Sequence, residues 1–128
     1  MTDAVDRTLR HWRLTPFKWG TSDCVTSLAD HALSITGIDP IPEWRGTYNT
    51  DVEAEEAIAG AGGLVALLDG CAAVSRCDMP QRGDVVAIWT GCEELLGLCT
   101  GQSAAFRLER GVKEIDLRFL TVVGSWKV

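Results

Sequence analysis

The spacing of apolar residues changes once along the chain, near Pro80. Before that point apolar residues recur every three or four positions, as they do on one face of a helix. After it the apolar segments are short, rich in β-branched residues or alternating, and separated by turns, which is typical of antiparallel strands. Helices followed by strands indicate a single α+β domain over residues 1–128, with a helical half at about 1–79 and a strand half at about 80–128.

Four helices are predicted in the first half. Val5, Leu9 and Trp12 share one helical face, and Thr21 or Ser22 is the expected N-cap of the second helix. The predicted helices are residues 3–12, the segment from that N-cap to about residue 35, residues 51–59 and residues 64–68.

A small antiparallel sheet of about five strands is predicted in the second half. Each strand is bounded by glycine or by a polar turn. The predicted strands are residues 83–89, 95–101, 103–109, 111–116 and 121–128.

Composition adds that this is an ordinary globular domain without a membrane segment. Hydrophobic residues make up 46% and charged residues 23% of the 128 residues, as in soluble domains. No segment approaches the ~18 consecutive apolar residues of a transmembrane helix, and the polar first ten residues are not a secretory signal. We therefore expect synthesis in the cytoplasm and no membrane insertion. The net charge of −6 argues against general nucleic-acid binding, which depends on neutralising phosphates.

The five cysteines are spaced neither as zinc ligands nor as CxxC pairs. They lie at positions 24, 71, 77, 92 and 99. Structural zinc sites use closer pairs of ligands, so we expect no metal and no cofactor. Most of these thiols are expected to be buried as small apolar groups.

Cys24 differs from the other cysteines because it lies at the predicted start of a helix, in the segment PFKWGTSDC at residues 16–24. Free N–H groups and the helix dipole at such a position favour a thiolate, which suits the thiol to nucleophilic attack. A small residue in a first turn also serves simply to fill space. Position alone leaves both interpretations open.

Two later motifs accompany this segment, namely GDVV at residues 83–86 and LLGLCTG at residues 95–101. A Trp-Gly turn, a polar pair and Asp-Cys at a helix start, followed by these motifs, resembles the NlpC/P60 superfamily of papain-like cysteine peptidases. The resemblance implies a compact α+β domain in which the cysteine starts the central helix and a histidine begins a strand soon after the Gly-Asp strand. The activity of that superfamily is cleavage of peptide bonds in bacterial cell-wall peptides.

Over about residues 9–128 the order of motifs also resembles a family of small phage and prophage proteins encoded among tail genes, which is regarded as NlpC/P60-like. The shared pieces are PF-WG--DC, Arg45-Gly46 with Tyr48, Gly62-Gly63-Leu64, GDVV, LG---G--AAF and Trp126. This resemblance implies a place in the virion, at the phage tail tip, and other tail-tip or hub proteins as partners. Host peptidoglycan is a further implied partner.

The histidine of the peptidase pattern is missing. Aligning LLGLCTG with H-V-G-I-Y-x-G puts Leu95 at the position of the imidazole, and no histidine follows His31. Without a base, a thiol with a pKa of ~8.5 is only a few per cent thiolate at neutral pH. His31 lies about 10.5 Å beyond Cys24 along one helix and is expected at the helix surface. His11, on the first helix, is left as the candidate base within the chain.

Four other residues are expected around Cys24. Asp23 is predicted to act on the helix N-terminus, and its charge beside the thiol disfavours the thiolate. Gln102 and Ser103, just past the second hairpin glycine, are poor bases and candidates to line a vestigial cleft. Trp19 lies in a loop and is a candidate contact residue, because tryptophan anchors interfaces.

Three functions remain open from the sequence. The first is a non-catalytic structural component of a phage tail tip, built on a degenerate cell-wall peptidase fold, and the missing histidine favours it. The second is an active cysteine peptidase or amidase that degrades peptidoglycan during genome injection, which the intact Thr-Ser-Asp-Cys segment supports. The third is a chaperone of tail assembly.

Overall fold

The helical periodicity of the first half does form four α-helices. The computed structural model describes residues 2–128, and all four helices precede the sheet. The helices are α1 (Ala4–Leu14), α2 (Cys24–Thr36), α3 (Asp51–Gly60) and α4 (Leu64–Asp69). The predicted helical positions are therefore confirmed.

The start of α2 differs from the sequence prediction. Its N-cap is Asp23, not Thr21 or Ser22. The Asp23 carboxylate accepts a hydrogen bond from the Thr26 amide at 2.8 Å, and the Thr26 hydroxyl accepts one from the Asp23 amide at 2.9 Å. Thr21 and Ser22 are unable to cap because they belong to a tight turn closed by the Ser22 amide on the Lys18 carbonyl at 2.8 Å. Cys24 is thereby the first residue of the helix.

The second half forms one antiparallel sheet of six strands, in the order β1-β6-β2-β3-β4-β5. The strands are β1 (Ser75–Arg76), β2 (Val85–Trp89), β3 (Glu94–Cys99), β4 (Ser103–Leu108), β5 (Gly111–Asp116) and β6 (Thr121–Lys127). The additional strand, β1, pairs with Trp126 and Lys127. Its two exposed residues carry no periodic pattern, so the sequence predicted about five strands.

The sheet has an apolar cluster on each face. On one face the helices bury the larger core, in which Val25 and Leu28 of α2 pack with Leu96 and Leu98 of β3. On the other face Val86, Ile88, Cys99, Ala104 and Phe106 form a smaller cluster. A 3-10 helix at Leu117–Phe119 partly covers that second cluster.

Gly97 in the middle of β3 permits the second cluster to close. A Cβ atom at this position would lie 2.6 Å from the ring of Phe106, which is closer than real contacts allow. Gly97, the first glycine of the LLGLCTG motif, is thus required because the Phe106 ring lies against the strand there. Within residues 2–128, no helix is both long and apolar enough to cross a membrane.

Candidate functional site

Cys24 lies in an open cleft between the start of α2 and the strands β3 and β4. The cleft has a volume of about 500 Å³. Its apolar lining residues are Phe17, Trp19, Leu95, Leu96, Phe106 and Leu108. Carboxylates of Asp51, Glu55, Glu93 and Glu109 also line it.

Asp23 organises the segment that carries Cys24. Its carboxylate is only 1% exposed and accepts hydrogen bonds from the Gly20 amide at 2.8 Å and the Tyr48 hydroxyl at 2.7 Å. The other carboxylate oxygen accepts from the Thr26 amide at 2.8 Å and its hydroxyl at 3.0 Å. These four hydrogen bonds replace the water that a buried carboxylate loses. The Trp-Gly, Asp-Cys and Arg-Gly-x-Tyr motifs therefore meet at one side chain.

The same network explains Gly20. This residue has φ +85°, a conformation that suits glycine, and a Cβ atom there would run into the carbonyl oxygen of Tyr48. Burial and the hydrogen bond to Asp23 both raise the pKa of Tyr48. Tyr48 consequently stays protonated and continues to donate to Asp23.

The environment of Cys24 disfavours the thiolate. Burial and, next in size, the negative charge of Asp23 raise the pKa of the Cys24 thiol to about 12. The backbone N–H groups of Val25 and Cys24 act in the opposite direction, as expected at a helix N-terminus, but they are outweighed. The helix start by itself would favour a thiolate, but burial and the charge of Asp23 keep the Cys24 thiol protonated.

His31 is buried, and its predicted place at the helix surface is wrong. The side chain is 1% exposed and lies 3.0 Å from the Gly83 carbonyl oxygen through Nε2 and 2.8 Å from the Thr8 hydroxyl through Nδ1. Because a carbonyl only accepts, Nε2 carries the proton and Nδ1 accepts from Thr8. The prediction failed because α2 packs against both α1 and the sheet, and His31 lies where it reaches Thr8 of α1 and the Gly83 carbonyl.

His11 is exposed on α1 and lines a different depression, together with Arg7, Ser27 and Asp30. Its ring lies 3.4 Å from the hydroxyl of Thr15, one turn further along the chain. Neither histidine lines the cleft that contains Cys24.

Leu95 and Trp19 do line that cleft together with Cys24. Leu95 stands opposite Ile88 in the β2–β3 pairing and packs with the cluster on the far face of the sheet. Its neighbour Leu96 belongs to the helix-side core, so both faces of β3 contribute to the cleft. The structure thus brings Leu95, at the position aligned with the superfamily histidine, into the same cleft as the cysteine.

Gln102 and Ser103 lie away from this cleft. Gln102 is exposed in the turn between β3 and β4, and Ser103 pairs with Asp116 at the start of β4. The cleft is lined instead by Phe106 to Leu108, toward the other end of β4. The residues were misplaced because the glycine they follow lies at the opposite end of the hairpin from Leu95.

Arg107 is a buried residue of the site that sequence reasoning missed. Its guanidinium is 4% exposed and donates to the carbonyl oxygens of Trp12 at 3.0 Å, Thr15 at 2.6 Å and Ser22 at 3.1 Å. Burial lowers the pKa of Arg107. A single arginine inside the apolar strand segment SAAFRL was the available signal.

The site has no set of metal ligands. Among the residues that the structure describes, no three His, Cys, Asp or Glu side chains converge as they would around a metal ion. All five cysteines are free thiols.

The whole sequence matches a known family. A family model described as "Domain of unknown function (DUF6950)" matches residues 1–128. The chain belongs to this family. Comparison of this DUF6950 chain with curated proteins and with solved structures finds no significant match.

Proposed function

We propose that this protein is a non-catalytic structural component of a phage tail tip, built on an NlpC/P60-like fold. One observation carries the proposal. Cys24 opens the central helix in a cleft shared with Leu95, and neither His11 nor His31 lines that cleft. The arrangement has the nucleophile position of a cysteine hydrolase without its base.

The chemistry of the thiol supports a non-catalytic role. Because burial and the charge of Asp23 raise the pKa of the Cys24 thiol to about 12, the thiol is protonated at neutral pH. Cysteine hydrolases instead hold an imidazole within about 2.6–3.2 Å of the sulfur, which withdraws the proton and raises the thiolate population. Nothing in the cleft replaces that imidazole, because carboxylates near the thiol disfavour its ionisation.

The fold assignment is supported by the order of elements around the cysteine. Cys24 is the first residue of α2, the GDVV segment enters β2, and LLGLCTG supplies β3 next to it. This is the order that the resemblance implies. The tail-tip assignment and the tail or hub partners follow from the resemblance to phage tail-encoded proteins.

The first test compares hydrolysis by wild-type protein and Cys24→Ala. Muropeptides from bacterial peptidoglycan are incubated with each protein, and the products are identified by mass spectrometry. We expect identical, unchanged muropeptides in both reactions. Products that form with the wild type and disappear with Cys24→Ala would establish an active peptidase and refute the proposal.

A variant of the candidate base within the chain makes the same test sharper. His11→Ala should leave the alkylation rate of Cys24 at neutral pH unchanged, because His11 lines a different depression. Loss of Cys24 reactivity in His11→Ala would instead identify His11 as a functioning base.

The place in the virion is tested on the particle itself. In purified particles of a phage whose genome encodes this protein, mass spectrometry should detect the protein together with tail proteins. Its presence during assembly but absence from finished particles would instead establish an assembly chaperone.

A further inference from the structure

We propose that the Cys24 cleft is a docking groove for a partner-protein segment that carries lysine or arginine beside large apolar side chains. This inference rests on the proposed non-catalytic function and names the chemistry of the partner. It is drawn from the lining of the cleft, the charges on its rim and the fixed position of its walls.

The floor and walls of the groove are apolar. Phe17 and Trp19 pack edge to face, with ring centroids 4.8 Å apart and planes at 83°. Leu95 of β3 and Phe106 and Leu108 of β4 line the strand side. A volume of about 500 Å³ lies within the range of binding sites and accommodates a few large side chains.

The rim of the groove is acidic, and its carboxylates form no ion pairs within residues 2–128. Asp51, Glu55, Glu93 and Glu109 are exposed. None of them takes part in the ion pairs found within residues 2–128, which use other carboxylates of the chain. Exposed carboxylates around an apolar depression are complementary to cationic groups on a ligand.

The arginines of the groove do not neutralise this rim. Arg107 directs its guanidinium to three backbone carbonyls below the surface. Arg110 is an exposed cation beside four carboxylates. The rim therefore keeps a net negative charge, and the net charge of −6 on the whole chain steers a cationic partner toward the protein.

The walls are held in place before any partner arrives. Asp23 fixes the Gly20 turn next to Trp19, and Arg107 fixes the connection between α1 and α2. A groove that is already formed loses little conformational entropy on binding. The groove is a surface depression, so a chain segment can lie across it with apolar side chains in the floor and cations at the rim.

The test uses three short capped peptides and NMR titration of the ¹⁵N-labelled full chain. The first peptide alternates lysine with leucine and phenylalanine, the second replaces every lysine by glutamate, and the third replaces every apolar residue by serine. We expect only the first peptide to bind, and to shift the amide resonances of Trp19, Cys24 and Leu96. Equal binding of the glutamate peptide, shifts confined to another face, or no binding would overturn the docking proposal.

Charge reversal on the rim provides the matched comparison. Glu55→Lys combined with Glu93→Lys should weaken binding of the first peptide by about tenfold or more. Glu43→Lys combined with Glu56→Lys makes the same change in net charge at exposed positions outside the groove, and it should weaken binding by about twofold or less. Equal weakening by both double variants would show general attraction to an acidic protein and overturn the assignment to this groove.

Mass spectrometry of the peptide after titration separates this proposal from the proposed function. Peptide that binds at the groove and stays intact supports both the docking proposal and the non-catalytic function. Peptide cleavage that disappears in Cys24→Ala refutes the non-catalytic function, whereas intact peptide without binding refutes docking alone. Tighter binding of muropeptides than of the basic peptide would also refute docking of a protein segment and would indicate a cell-wall ligand.

Discussion

Asp23 has both a structural and an electrostatic effect at this site. It caps α2, holds the Gly20 turn and accepts from Tyr48, so the segment around Cys24 is joined to a residue 25 positions further along the chain. Its charge also lies next to the Cys24 thiol and raises the pKa of that thiol. The structural role of Asp23 and the low reactivity of the cysteine therefore have a common cause.

The first prediction at this scale concerns the pH dependence of Cys24 alkylation. Because burial and Asp23 raise the pKa of the thiol to about 12, the iodoacetamide rate should still be increasing above about pH 10, where an ordinary thiol has levelled off. Peptide mapping by mass spectrometry measures each cysteine separately, with the exposed Cys92 as internal control. A rate at Cys24 that reaches its plateau near neutral pH would contradict the prediction.

A second prediction compares two glycines that both have positive φ. Gly20→Ala introduces a Cβ atom against the Tyr48 carbonyl, whereas Gly46→Ala places its Cβ in open space. We expect Gly46→Ala to lower the free energy of unfolding by about 1 kcal/mol, from backbone strain alone. Gly20→Ala should cost at least about 2 kcal/mol more, because the Asp23 network must also shift. Urea denaturation measures the free energy of unfolding of both variants. Equal losses in the two variants would show that the Gly20 turn accommodates the added Cβ atom without further cost.

A side chain of β4 forms hydrogen bonds to both the end of α1 and the segment before α2. The last carbonyls of a helix lack partners within the helix, and here Arg107 of β4 donates to the Trp12 and Thr15 carbonyls as well as to Ser22. A buried cation at a helix C-terminus is favourable because the dipole there is negative. The arginine thus sets where the connection between the two helices lies on the sheet.

Removing this guanidinium should destabilise the domain. Arg107→Met removes the side-chain donor of the Trp12 and Thr15 carbonyl groups and leaves the Ser22 carbonyl with only the Lys18 amide at 3.4 Å. We expect a loss of about 2–4 kcal/mol in the free energy of unfolding. Arg110→Met alters an exposed arginine three positions along the chain and should change stability by less than about 0.5 kcal/mol. Chemical denaturation followed by tryptophan fluorescence measures both variants. Equal stability of the two variants would show that water replaces Arg107 without cost.

In the molecule as a whole, His31 connects the helices to the sheet. It accepts from Thr8 of α1 and donates to Gly83 at the entrance of β2. Burial lowers the pKa of His31 below its ordinary value of 6.5, although the charges of Asp3 and Asp84 act in the opposite direction. The folded protein therefore binds a proton at this site less readily than the unfolded chain.

This difference predicts a loss of stability on acidification. Between the lowered pKa of His31 and about 6.5 the unfolded chain binds more protons, so the free energy of unfolding falls as pH decreases, by up to about 1.4 kcal/mol per pH unit. The lowered pKa values of Asp39 and Asp116 act in the same direction but below about pH 4.

Urea unfolding at a series of pH values from about 7 to 5 measures this slope. His31→Asn should be less stable at neutral pH, because the hydrogen bond to Gly83 is altered, and should lack most of the slope. His11→Asn changes an exposed histidine and serves as the control. If the pH dependence of the free energy of unfolding persists in His31→Asn, it arises from other groups.

Features that depend on neighbouring residues could be predicted from the sequence. Apolar periodicity fixed the four helices and the strand half, and the segment before Cys24 placed the cysteine in the first turn of a helix. The alignment of LLGLCTG also predicted Leu95 at the site, and Leu95 does line the Cys24 cleft. These signals are local because a helix or strand is chosen by the spacing of side chains within a few turns.

The chemistry of the cleft could not be predicted from the sequence. The burial of His31, the inward orientation of Arg107 and the displacement of Gln102 from the cleft all depend on which elements pack together. The same holds for the pKa of Cys24, which position at a helix start alone would have lowered. Burial and the charge of a neighbouring carboxylate act through space, and here they outweigh the local effect of the helix N-terminus.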